Sequence, residues 1–171
     1  MRLIAALALL ALAAPAAAQE AHVGDLVLER PAIREAPAGA PVAGGYLTIR
    51  NEGAEADRLV AAASPAAGEV QIHEMAMEGG VMRMRARAEG VEIPAGEAVA
   101  LEPGGLHLML MDPAPMEAGQ DVELTLTFER AGEVTAPFRV RTLGEIRAAE
   151  GGMNHSEAGH GAMGHAAPAA D

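Results

Sequence analysis

Between His22 and about Arg147 the chain is broken by glycine, proline or asparagine every few residues, which leaves room only for short strands. Apolar runs recurring about every 8–12 residues between such breaks are the pattern of an all-β sandwich or barrel. The breaks are Pro37-Ala-Gly, Asn51-Glu-Gly, Glu78-Gly-Gly, Pro94-Ala-Gly, Pro103-Gly-Gly and Ala131-Gly. They predict strands over Val23–Glu29, Gly45–Arg50, Arg58–Ala63, Glu69–Met77, Val81–Arg87, Glu97–Leu101, Leu106–Met111, Val122–Glu129 and Glu133–Arg141. Val122-Glu-Leu-Thr-Leu-Thr-Phe alternates apolar with polar residues, as a half-buried strand does. Ala61–Ala67 has helical propensity, but Ser64-Pro65 interrupts it, and no helix is expected beyond the N-terminal segment.

The two ends read differently. Arg2, the apolar run Leu3–Ala14 and the small residues Ala16-Ala17-Ala18 form a secretory leader over residues 1–18, with cleavage expected before Gln19. The run is shorter than the roughly 20 residues of a membrane span, so a free periplasmic chain is expected after cleavage. With no cysteine, no lipid attachment is expected and no disulfide is available. Residues 19–147 suffice for one domain with its own core. Residues 148–171 are mostly Ala, Gly, His and Met, too poor in large apolar side chains to offset their chain entropy, so a disordered tail is expected.

Acidic residues outnumber basic ones by 24 to 12, a net charge of −12, and every basic side chain is an arginine. Such a surface repels nucleic acid and anionic lipid, which removes those partners from consideration.

Histidine and methionine keep company. Gln71-Ile-His73-Glu-Met75-Ala-Met77 and Val81-Met82-Arg-Met84 read as a hairpin turning at Glu78-Gly-Gly, with His73, Met75 and Met77 on one face. In Leu106-His107-Leu-Met109-Leu-Met111 the leucines take the core face, leaving His107, Met109 and Met111 opposite. Thioethers are soft, neutral donors that favour Cu(I) over zinc or hard cations, and imidazole joins them once deprotonated. A hard-cation site would show clustered carboxylates, whereas the acids here are scattered. Methionine also fills gaps in cores, so packing alone accounts for any one of Met75, Met77, Met82 or Met111. In the tail, His155, His160 and His165 recur every five residues with Met153 and Met163 among them. That tract suits a secondary copper site, Cu(II) through its imidazoles included, with His22 a further candidate. Arg83, Arg85 and Arg87 form either a docking face or a solvated one.

Residues 22–141 resemble the periplasmic copper chaperone family PCuAC. The resemblance is carried by Val42-Ala-Gly-Gly-Tyr-Leu-Thr-Ile, Ile72-His-Glu-Met, Gly80-Val-Met-Arg-Met-Arg, Ile93-Pro-Ala-Gly and Leu101-Glu-Pro-Gly-Gly-Leu-His-Leu-Met-Leu-Met. It implies a cupredoxin-like Greek-key β-sandwich with Cu(I) on His73, Met84, His107 and Met109. The family motif is His, ten residues, Met, twenty-one residues, then His-x-Met. Here ten residues separate His73 from Met84, but twenty-two separate Met84 from His107. An extra residue in the Ala86–Gly90 connection leaves the site intact, whereas one inside a strand turns Met84 to the other face. The resemblance further implies delivery to the dinuclear copper centre in cytochrome c oxidase subunit II, with a Sco-type thioredoxin-like companion.

Other functions fit less well. No Ser-His-Asp or Cys-His arrangement offers catalysis, so no enzyme is expected, and a blue-copper electron carrier needs a cysteine ligand. A copper buffer or resistance protein, and a non-metal structural sandwich, remain as alternatives.

Overall fold

The computed structural model describes residues 20–151. Eleven strands and one helix follow in chain order: β1 (Glu20–Val23), β2 (Leu26–Arg34), β3 (Val42–Asn51), β4 (Asp57–Ala63), β5 (Glu69–Glu78), β6 (Val81–Ala86), β7 (Val91–Ile93), β8 (Ala98–Leu101), β9 (Leu106–Met111), β10 (Asp121–Phe128), β11 (Gly132–Arg141) and α1 (Leu143–Gly151). The leader expected at residues 1–18 lies outside the described residues, as do His155, His160, Met163 and His165 of the tail. Among the described residues, no helix is long and apolar enough to cross a membrane.

The strands form two layers. One runs β1-β2-β11-β10-β4 with β7 added on β4, and the other runs β6-β5-β9-β3-β8. The layers join where β2 pairs with β3 and where a single residue pair, Ala62 with Val70, links β4 to β5. Late strands returning between early ones, as β11 does beside β2 and β9 between β5 and β3, give the Greek-key order. Alternation then fixes which side chains meet inside. Leu108 and Leu110 of β9, Leu124, Leu126 and Phe128 of β10, Phe138 of β11 and Ile72 of β5 form one core. The intervening residues of β5, β9 and β3 face outward, and the candidate site lies on that outer face.

Eight of the nine expected strands coincide with observed ones within a few residues, and three features depart from the expectation. The run expected as Val23–Glu29 is two strands, because Gly24, at φ +54°, turns the chain between Val23 and Leu26. β7 has only three residues, too few for a period to register. The helix α1 was not expected, and it crosses the boundary set at residue 147, so that residues 148–151 complete its last turn. Its start is a capping box. The Thr142 N–H donates to a Glu145 carboxylate oxygen at 2.8 Å, and the Glu145 N–H donates to the Thr142 hydroxyl at 3.3 Å.

Candidate metal site

β9 supplies the centre. With Leu108 and Leu110 fully buried, His107 and Met109 are turned to the outer face. His107 nevertheless is only 6% exposed, being covered by its neighbours. Its Nδ1–H donates to the Gly105 carbonyl at 3.0 Å, which fixes the tautomer and leaves the Nε2 lone pair free.

β5 pairs with β9 so that His73 stands directly opposite His107, their ring centroids 6.0 Å apart and the rings inclined at 59°. The His73 Nε2–H donates to the Gln71 side-chain oxygen at 2.8 Å, while Nδ1 is buried with no hydrogen-bond partner. A buried lone pair without a partner is costly, and a bound cation removes that cost. Burial, and next the nearby His107, hold the His73 pKa below its ordinary value of 6.5, so the ring is neutral at pH 7.

β6 supplies Met84, which lies opposite Met75 of β5, with Met82 opposite Met77 one step nearer the turn. Directly paired residues share a face, so all four thioethers lie on the face of His73 and His107. The twenty-second residue between Met84 and His107 therefore does not displace Met84. The connection at residues 87–90 lies outside any strand.

On the far side of β9, Met109 pairs with Gly44 of β3. The Tyr46 ring lies across Gly44. A Cβ at Gly44 would stand 2.2 Å from the Tyr46 hydroxyl oxygen, so only glycine admits the ring there. Burial chiefly raises the Tyr46 pKa, which keeps the phenol neutral. These elements enclose a cavity of about 370 Å³ lined by Met75, Met84, His107, Met109 and Tyr46, with Leu143 and Arg147 reaching in from α1.

Of the expected ligand residues, Met84, His107 and Met109 thus line one cavity, and His73 adjoins it through its pairing with His107. Met111 lies further along β9, opposite Val42 and Glu69, and does not line the cavity. His22 is exposed on β1, in the other layer. Arg83, Arg85 and Arg87 form ion pairs with Glu78 and Glu74. Sequence reasoning missed Tyr46, Gln71 and the α1 residues. Among the described residues, no three His, Cys, Asp or Glu side chains cluster as a metal site.

A two-layer sandwich with imidazoles and thioethers gathered on one outer face is the build of a binding protein. A family model described as "Putative lipoprotein LpqE-like" matches residues 26–140, and the chain belongs to that family. A curated relative from Leifsonia xyli subsp. xyli (strain CTCB07), a lipoprotein by its description, is 38% identical over 104 residues. Those residues make up 60% of this chain and 61% of the relative, so the chain spans less than two thirds of that protein's length. The apo PCuAC domain from PmoF1 is similar at 32% identity with a TM-score of 0.61, over 72% of this chain and 98% of that domain. The copper-bound PCuAC domain from PmoF2 is similar at 31% identity with a TM-score of 0.61, over 72% of this chain and 97% of that domain. The fold is the cupredoxin-like sandwich of PCuAC domains.

Proposed function

We propose that this chain is a periplasmic copper carrier that holds one Cu(I) on His73, Met84, His107 and Met109 and passes it to a copper-accepting protein. One observation carries the reading. Two imidazoles, that of His73 neutral, stand opposite each other across β5 and β9, each with a ring nitrogen left free, beside thioethers and, among the described residues, with no cluster of three His, Cys, Asp or Glu. A donor set of that softness and neutrality suits Cu(I) and is poor for zinc or hard cations. With a metal–nitrogen distance of about 2.0 Å, an ion shared by the rings sits roughly 3 Å from each centroid, so rings 6.0 Å apart are within reach of one ion. The similarity to a copper-bound PCuAC domain supports the same ion.

Transfer is favoured over storage because Met84 is 46% exposed, so an incoming ligand can displace it before the more buried donors let go. The acceptor implied is the dinuclear copper centre in cytochrome c oxidase subunit II, with a Sco-type partner. The lipoprotein description of the family supports a place outside the cytoplasm. His155, His160, Met163 and His165 are retained as a secondary capture site.

An anaerobic Cu(I) competition titration tests the carrier. A chain ending at Gly151 takes up one tight equivalent, and a His107→Ala, Met109→Ala double variant of it takes up none. Equal uptake by the two would reject the site.

A further inference from the structure

We infer that Met77 and Met82 form a second, weaker Cu(I) site at the end of the β5–β6 hairpin, through which copper passes between the inner donors and whatever delivers or accepts it. The inference rests on the proposed carrier function and specifies its path.

Among the described residues, six large apolar side chains are conspicuously exposed, and Met77, Val81, Met82 and Met84 of this hairpin are four of them. An apolar cluster of that kind on an otherwise charged surface marks a functional patch. Nothing in the core requires these methionines, since every residue of β6 is exposed. Their register is specific. His73 pairs with His107, Met75 with Met84 one step outward, and Met77 with Met82 a further step outward, all on one face. Directly opposed side chains have Cβ atoms about 5 Å apart, within reach of two thioethers on one ion. The opposite face carries Glu74, Glu78, Arg83 and Arg85, paired among themselves or with Arg87, so the charges neither join nor block the row of sulfurs.

Two thioethers are an incomplete set for Cu(I). That makes the outer pair weak, and a donor from a partner completes it. Movement along the row is ligand exchange only: a copper–sulfur contact forms on one side as another breaks, and the ion remains Cu(I). Adjacent sites convert each step into an intramolecular one at high effective concentration.

The test uses the full chain with methionine methyl groups labelled for NMR, titrated anaerobically with Cu(I) alone. The methyls of Met84 and Met109 shift with the first equivalent, and those of Met77 and Met82 shift with the second. A Met77→Leu, Met82→Leu variant keeps size and apolarity while removing both sulfurs. In it the first equivalent binds unchanged, uptake at the hairpin is lost while uptake by the tail histidines persists, and release to a small Cu(I) chelator slows by about tenfold. Shifts at Met84 and Met109 with none at Met77 and Met82 would overturn the relay and leave the carrier standing. No shift at any methionine would overturn both. Unchanged release from the leucine variant would overturn the relay as well.

Discussion

At the scale of single residues, polar atoms are placed where an apolar side chain would pack more cheaply. Asp57 is buried, and its carboxylate accepts N–H groups from Arg58, Arg130 and Ala131 at 2.7–2.9 Å. Burial alone would raise its pKa, but the three N–H donors together outweigh burial and hold it below the ordinary 3.8. A carboxyl whose folded value is depressed stabilises the fold above the unfolded pKa. That contribution is lost as pH falls from near 3.8 through the folded value. In Asp57→Asn an amide faces one N–H donor with another, so stability at pH 7 falls by about 2 kcal/mol. Urea unfolding from pH 7 down to pH 3 should show that loss together with a shallower acid limb. His73 is the contrasting case. Its unpartnered Nδ1 is a cost borne by the metal-free protein, as expected of a group kept ready for a ligand.

At the scale of elements, the helix is the part that strand-spacing arguments cannot see. Its nine residues include Ala148 and Ala149, which by composition belong with the tail, and its apolar content is small. Yet Thr142-x-x-Glu145 is a capping signature legible in the sequence, and Ile146 behind it is buried. Thr142→Ala is expected to cost about 1 kcal/mol. Amide exchange should then quicken within α1 while β9 and β10 stay protected, and Leu143 and Arg147 should lose their fixed place on the cavity wall. The strands themselves were largely readable, because glycine and proline mark their ends and β9 alternates without exception. The site was readable only in part. His107 and Met109 follow from that alternation, whereas the Tyr46 ring over Gly44 depends on the absence of one Cβ atom, which no period records.

For the whole molecule, the connection after β6 matters more than its length suggests, since it carries the chain from one layer to the other. Gly90 lies there at φ +76°, and a Cβ on it would come 2.1 Å from the Leu59 carbonyl oxygen on β4. Gly90→Ala is therefore expected to cost about 3 kcal/mol or more, seen as a lower urea midpoint. The same hairpin has a consequence for solubility. Among the described residues β6 pairs only with β5, so its outer backbone groups are a ready template on which another chain's strand could align. Sulfurs and short apolar side chains there would invite stacking of copies into fibrils. Arg83 and Arg85 break that invitation, because a second copy laid in register would bring like charges together. A strand that exposes two methionines is thus kept from recruiting its own kind.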